Sequence, residues 1–214
     1  ESAIYKKSNE LYGIFQAKSE IAKQDNCFLV EGYMDVIGMW QSGMENTVAS
    51  SGTALTDGQI AMIHRFTDNI TLIYDGDNAG IKASLRGIDM LLTHKMNVKV
   101  LLLPDGHDPD SFARINTPEQ FRSYVEKNAT DIIRFKAQVL LKDVGDDPQK
   151  RVAAIESVVK SLAHIPDKVK RNVYVQECSR ILGVREEVIE GAVEKSRGAV
   201  VAQQIKQRNS NDID

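Results

Sequence analysis

Two aspartates separated by one glycine follow an apolar run in the segment "LIYDGDNAG", residues 72–80. Asp75 and Asp77 are two residues apart, so an extended backbone would project both carboxylates to the same side. Gly76 between them would leave room for a close ligand. Two carboxylates this close repel each other unless a cation lies between them or one of them holds a proton. Hard oxygen ligands of this kind suit Mg²⁺, so the pair indicates a metal site.

Acidic residues follow two other apolar runs in the same way. Glu31 ends "CFLVE", and Asp35 comes one helical turn later. The run "VLLLP" is followed by "DGHDPDSF", which contains Asp105, Asp108 and Asp110. Ligands of a parallel α/β sheet bind beyond the carboxyl ends of its strands. If these three runs are neighbouring strands, their acids converge on one site.

Each group of acids also has a simpler explanation. Asp75 and Asp77 could form a turn and a helix cap, because aspartate favours both. Glu31 could be a solvated residue at a strand end. The "DGHDPD" segment could be a polar turn that is stiffened by Pro109 and caps the next helix. His107 has no second His or Cys at ligand spacing, so we expect no zinc.

The elements around these acids alternate between strands and helices. Apolar runs without clean alternation predict strands buried on both faces, at 27–32, 46–50, 69–75 and 98–104. Helices are predicted at 33–43, 55–66 and 79–94, the last with an apolar stripe of Ile81, Leu85, Ile88 and Leu92. This order predicts an α/β domain with a mostly parallel sheet and helices on both faces.

The chain from about Thr117 onward shows only helical patterns. Thr117, Pro118 and Gln120 have the spacing of a capped helix start. Helical spacing also relates Val152, Ile155, Val159 and Leu162. We therefore predict four parts: the end of a preceding subdomain at 1–26, the α/β core at 27–115, a helical bundle at 116–198 and a polar, frayed tail at 199–214.

Composition limits the partners and the location. The formal net charge is −3, so tight duplex binding through bulk charge is not indicated. No run approaches the roughly 18 apolar residues of a membrane span, so we expect a cytoplasmic protein without a membrane partner. Cys27 and Cys178 have no CxxC or CxxH neighbour, which predicts buried, reduced thiols.

Four motifs together resemble the Toprim core of the bacterial DnaG-type primases: "EGYMDVI", "ASSGTALT", "YDGDNAGIKAS" and "LPDGHDPDSF". The helical half, with "RNVYVQECSRILGV", resembles the helical subdomain that closes the primase RNA polymerase domain. The resemblance covers nearly the whole chain. Topoisomerases and some nucleases share the Toprim acids alone, whereas the first, third and fourth motifs together are typical of primases.

The resemblance implies a Toprim-type fold with a catalytic centre for Mg²⁺ or Mn²⁺, with two or more metal sites. By motif match, the catalytic metal ligands would be Glu31, Asp75, Asp77, Asp108 and Asp110. Asp35 of the "EGYMD" element is added to these ligands. Lys82 and Arg86 lie near the start of the following helix, where they could face a triphosphate or simply form a solvated face.

The activity implied is template-directed synthesis of short RNA primers on single-stranded DNA from ribonucleoside triphosphates. A 3′-hydroxyl would attack the next α-phosphorus while metal ions neutralise charge. Candidate template contacts are Lys6, Lys7, Arg65, Lys82 and Arg86. Three parts of the family pattern are not recognised: the zinc-binding domain, the basic start of the polymerase domain and the helicase-binding domain. We therefore expect a monomer that reaches the replicative helicase only through a missing C-terminal domain and whose unaided synthesis is in doubt.

Two other classes of function stay open. A Toprim nuclease or topoisomerase would use the same acids to cleave DNA, although no tyrosine here has the context of a topoisomerase nucleophile. A non-catalytic module for docking replication proteins would instead rely on the helical half.

Overall fold

The computed structural model describes residues 10–50, 55–75, 85, 87–104, 106–142 and 144–211, with side chains as far as residue 202. The chain forms two compact units, Glu1–Ile132 and Ile133–Asp214. None of the helices in the described part is long and apolar enough to cross a membrane.

The first unit is built on a five-stranded sheet. Its strands are β1 (Cys27–Val30), β2 (Thr47–Ala49), β3 (Asn69–Tyr74), β4 (Asn97–Leu102) and β5 (Thr130–Asp131). Their order is β2-β1-β3-β4-β5, and all pairs are parallel except β4 with β5. The four predicted strands and the mostly parallel sheet are confirmed. The fifth strand was not predicted, because two residues carry no readable pattern.

Six described helices accompany this sheet, and they cover both of its faces. They are α1 (Ile14–Gln24), α2 (Tyr33–Gln41), α3 (Asp57–His64), α4 (Ile88–Thr93), α5 (Pro109–Ile115) and α6 (Pro118–Asn128). Successive side chains of a strand point to opposite faces of the sheet, and in β1 both Phe28 and Leu29 are buried. The prediction of helices on both faces is therefore confirmed.

The helix predicted over 79–94 differs from the structure. Ile81 lies outside the described residues, and Leu85 lies in a turn. The described helix α4 begins only at Ile88, after Gly87 with a φ of 71°. A left-handed residue at this position ends any helical run that precedes it, so one continuous apolar stripe from Leu85 to Leu92 does not form.

Aromatic packing joins α6 to the sheet. The Phe121 ring of α6 lies 6.1 Å from Phe28 of β1 and 5.6 Å from Phe112 of α5, between ring centroids. These residues belong to one buried cluster that includes Val30, Met39, Ile73, Leu101 and Leu103. The first compact unit therefore extends past residue 115, where the sequence placed the start of the helical bundle. The predicted helix cap does form, since the Gln120 N–H donates to Thr117 Oγ1 at 3.3 Å.

The second unit consists of helices, as predicted. They are α7 (Ile132–Lys142), which begins at the boundary, α8 (Pro148–Ala163), α9 (Lys168–Leu182) and α10 (Glu186–Asn211). On α8, Val159 and Leu162 are buried, but Val152 is 54% exposed and does not join the predicted core stripe. The backbone of α10 is helical through Asn211, where a frayed tail was expected.

Buried polar groups in the second unit have hydrogen-bond partners. The Lys136 ammonium donates to Ser161 Oγ at 2.7 Å, and both residues are buried. The Arg171 guanidinium is also buried and donates to the Ile165 carbonyl at 2.8 Å. The two cysteines are buried thiols outside any disulfide, as the sequence predicts.

Candidate metal centre

The strands that precede the acids are neighbours in the sheet. Glu31 directly follows β1 and Asp75 directly follows β3, and Leu29 of β1 is in register with Leu72 of β3. Because the strands are parallel, both acids lie just beyond the same edge of the sheet, with exposed side chains. The chain passes to β2 on one side of β1 and returns to β3 on the other. This edge is therefore the topological switch point, where ligands of such sheets bind.

The first turn of α2 adds Asp35 to this edge. Its half-buried carboxylate accepts a hydrogen bond from the Gly32 backbone N–H, with Oδ2 at 3.2 Å. Burial raises the pKa of Asp35, and the negative charges of Asp108 and Asp75 raise it further. Hydrogen bonds from the backbone N–H groups of Gly32 and Asp110 oppose these effects. Acids from three separate segments thus act on one another here.

Asp108 begins α5 and caps it. Its Oδ1 accepts a hydrogen bond from the Ser111 backbone N–H at 2.7 Å, and the Asp108 N–H lies 3.1 Å from Ser111 Oγ. Hydrogen bonds to the carboxylate from the backbone N–H and the hydroxyl of Ser111 lower the pKa of Asp108. The capping explanation for the "DPDSF" segment is therefore correct for Asp108. The cap also fixes this acid where its charge acts on Asp35.

Asp110 packs against α2 at a glycine. A Cβ atom built on Gly38 would lie 1.6 Å from Asp110 Oδ1 and 2.5 Å from its Cγ. The absence of a side chain at Gly38 is thus what admits the carboxylate. The same Oδ1 accepts a hydrogen bond from Arg114 Nε at 2.8 Å, one turn further along α5. The sequence analysis missed both Gly38 and Arg114. The four-residue spacing of Asp110 and Arg114 was a readable signal for the pair.

The donor set fits a hard divalent cation. The residues are carboxylates, which is the ligand chemistry of Mg²⁺ or Mn²⁺, and burial, together with the negative charges of Asp108 and Asp75, raises the pKa of Asp35. Within the described part of the chain, no three acidic, His or Cys side chains are arranged to hold a metal ion. His107 contacts the Phe112 ring, with centroids 5.7 Å apart.

Several predicted residues lie outside the described residues. They are Asp77, Lys82, Arg86, Asp105, Lys6 and Lys7. Of the remaining candidates, Asp75 and Asp108 act on Asp35 through their charges, and Asp110 donates its backbone N–H to Asp35. The sheet register places Glu31 at the same edge as Asp75. Arg65 is an exposed residue at the end of α3.

An exposed apolar surface adjoins this edge. Three side chains on successive turns of α2 are exposed: Tyr33 at 56%, Ile37 at 37% and Trp40 at 42%. Tyr12 packs edge-on against Tyr33, with ring centroids 6.0 Å apart. A cleft of about 360 Å³ lies between this part of α2 and the start of α1.

Comparison with known proteins places the two units in one family. Residues 28–113 match the Toprim-like family model, and residues 133–187 match the model for the DnaB-helicase binding domain of primase. The DNA primase of Clostridium acetobutylicum is 37% identical over 190 residues, which is 88% of this chain and 31% of that protein. The DNA primase of Halalkalibacterium halodurans is 35% identical over 182 residues, or 83% of this chain and 30% of that protein.

This chain belongs with the bacterial DnaG-type primases. The primase domain from Pseudomonas aeruginosa superposes with a TM-score of 0.78 at 31% identity, over 91% of this chain and 62% of that one. The E. coli primase catalytic core gives 0.77 at 31% identity, over 86% of this chain and 60% of that one. The DnaG primase catalytic domain bound to ssDNA gives 0.75 at 30% identity, over 84% and 59%.

Two consequences follow from these likenesses. The chain spans about a third of the length of the curated primases that it matches. The match of residues 133–187 bears on the expectation that a helicase-binding domain is missing, because the second unit carries the sequence pattern of that domain. The E. coli primase catalytic core covers 86% of this chain and therefore also includes part of the second unit, which agrees with the resemblance of "RNVYVQECSRILGV" to the helical subdomain of the polymerase domain.

Proposed function

We propose that this chain carries the catalytic metal centre of a DNA primase, which makes short RNA primers on single-stranded DNA during replication. The observation that carries the proposal is the convergence of acids at the switch point of the sheet, where the charges of Asp75 and Asp108 act on Asp35. The DNA primase relatives and the ssDNA-bound neighbour support nucleic acid as the substrate class.

The residues of the chain would hold and orient divalent metal rather than react themselves. Asp35, Asp75 and Asp108 would provide oxygen ligands, together with Glu31, Asp77 and Asp110. Mg²⁺ or Mn²⁺ held there would supply neutralisation of phosphate charge while a 3′-hydroxyl attacks the α-phosphorus of a ribonucleoside triphosphate in line and pyrophosphate leaves. The cap on Asp108 and the N–H groups on Asp35 would keep these carboxylates in fixed positions, so little reorganisation is needed when metal arrives. Lys82 and Arg86 would contact the triphosphate.

The test is a chimaera in which this chain replaces the matching third of the Clostridium acetobutylicum primase. With single-stranded template, ribonucleoside triphosphates and Mg²⁺, we expect primer synthesis that Asp75→Asn lowers by at least about 10²-fold, since a metal ligand is lost. Glu45→Gln, which alters an exposed turn carboxylate of the same unit, should leave synthesis unchanged. Full synthesis by Asp75→Asn would contradict the proposal. Cleavage of DNA without ribonucleotides would instead favour the nuclease alternative.

A second role, binding of the replicative helicase, is favoured by the family match over residues 133–187. Within that range, Val169 and Val173 of α9 lie one helical turn apart and are 75% and 58% exposed. Exposed apolar side chains at this spacing are suited to a helical partner surface. We propose that this valine pair contacts the helicase.

Helicase binding can be measured by titrating the chain into labelled replicative helicase. We expect the double variant Val169→Arg/Val173→Arg to weaken binding by at least tenfold, because charge replaces the apolar contact. Val188→Arg is the matched control, since Val188 is 49% exposed but lies just beyond the matched range. Equal loss in the control, or no loss in the double variant, would contradict the role of the valine pair.

A further inference from the structure

The Asp110 carboxylate is bonded to Arg114 and packs against Gly38, and neither residue is a predicted metal ligand. Its Oδ1 accepts a hydrogen bond from Arg114 Nε at 2.8 Å, and the same oxygen occupies the space where a side chain at Gly38 would stand, 1.6 Å from the ideal Cβ position. Asp110 contributes its backbone N–H to the Asp35 carboxylate. The Asp110 side chain therefore bonds to Arg114 within α5, while its backbone N–H donates to the Asp35 carboxylate.

We propose that Arg114 and Gly38 are positioning residues that hold Asp110 in a resting position and thereby set the affinity of the centre for divalent metal. The inference rests on the proposed metal centre. Arg114 is a cation built into the chain, and it competes with the metal ion for the same carboxylate. Gly38 leaves the space that the Asp110 carboxylate occupies while it is bonded to Arg114.

The ion pair between Asp110 and Arg114 affects how the Asp110 carboxylate could bind metal. Among the described residues no group of three is arranged around a metal position, and Asp110 is a half-buried acid of this edge whose carboxylate is ion-paired. Metal binding through Asp110 Oδ1 then requires this oxygen to leave Arg114. Because the Arg114 side chain is 62% exposed, the pair is a weak one that can be exchanged.

The test is a calorimetric titration of the whole chain with Mn²⁺. Removing the competing cation with Arg114→Gln should tighten binding by about 1.5- to 5-fold, the range expected for losing an exposed ion pair. Arg114→Lys keeps a cation there and should bind Mn²⁺ as the parent does. Gly38→Ala fills the resting position, so it should also tighten binding. Lys23→Gln, which removes an equivalent exposed helical pair with Glu20, should change nothing.

A double-variant cycle separates this effect from general loss of charge. In the Asp110→Asn background, Arg114→Gln should no longer alter the Mn²⁺ affinity, because the carboxylate for which Arg114 and the metal ion compete is absent. If Arg114→Gln in the parent chain binds Mn²⁺ as tightly as the parent or more weakly, the inference is overturned. This outcome decides the matter even if Gly38→Ala does not fold. If the parent itself binds no Mn²⁺, the proposed function fails and the inference falls with it, so the two failures are distinguishable.

Discussion

At the scale of single residues, Asp35 shows how the site differs from an ordinary surface. Its carboxylate is half-buried and faces the charges of Asp108 and Asp75, which together raise its pKa. A raised pKa means that the folded chain disfavours the charged form of Asp35. The folded state therefore carries an electrostatic cost that a bound cation or protonation would relieve, as is usual for functional sites.

This cost predicts that Asp35→Asn stabilises the metal-free chain at neutral pH. The pKa of Asp35 is higher in the folded chain than its unfolded value of about 3.9. The contribution of protonated Asp35 to the free energy of unfolding is therefore fully present below that unfolded pKa and is lost as the pH rises through the folded pKa. The gain in Tm should therefore be largest at pH 7 and vanish at low pH. Thermal unfolding of both proteins at several pH values measures it.

The control is Glu45→Gln, which removes an exposed carboxylate from a turn of the same unit. It should leave the Tm difference near zero at every pH. Addition of Mn²⁺ should reverse the order, because the parent gains binding energy that the variant loses. A lower Tm for Asp35→Asn at pH 7 without metal would show that its charge stabilises the fold.

How far the residues of the site could be predicted depends on the kind of contact. Position after a strand identified Glu31 and Asp75, and the sheet order bears out their placement at one edge. The Asp110–Arg114 pair was overlooked although its four-residue spacing lies within α5. Gly38 was missed because its role depends on the packing of α2 against α5, two helices far apart in sequence. Sequence spacing within one element cannot report contacts of that type.

At the scale of secondary structure, local signals predicted most elements well. Buried strands and the cap at Thr117 follow from patterns of a few neighbouring residues, and both are confirmed. Of the helix predicted over 79–94, Ile88–Thr93 is confirmed, but this helix begins only after Gly87, whose left-handed conformation apolar periodicity ignores. The unit boundary also lay beyond local signals, since Phe121 joins α6 to the sheet through aromatic contacts.

The buried Lys136 of α7 provides a prediction at this scale. Its ammonium donates to Ser161 Oγ of α8 at 2.7 Å, and both side chains are buried. Ser161→Ala should lower the free energy of unfolding by about 1–3 kcal/mol, because a buried cation loses one of its acceptors. Urea denaturation followed by circular dichroism measures this. Ser157→Ala, at a half-buried serine one turn earlier on α8, should cost much less. An equal loss for both serines would contradict the importance of the Lys136 contact.

At the scale of the whole molecule, two compact units correspond to two family matches. The Toprim-like match at 28–113 lies in the first unit, and the helicase-binding match at 133–187 lies in the second. The division supports separate roles, with metal chemistry proposed for the first unit and helicase contact for the second. The chain spans about a third of the length of the related DNA primases.

The measurement that tests the central claim most directly is a calorimetric titration of this chain with Mn²⁺, beside Asp75→Asn/Asp77→Asn, with and without a ribonucleoside triphosphate. The account predicts binding by the parent that tightens with nucleotide and is lost in the double variant. Identical titrations for the two proteins would contradict it, and the two aspartates would then be turn and cap residues of a fold that has kept the family's shape without its metal centre.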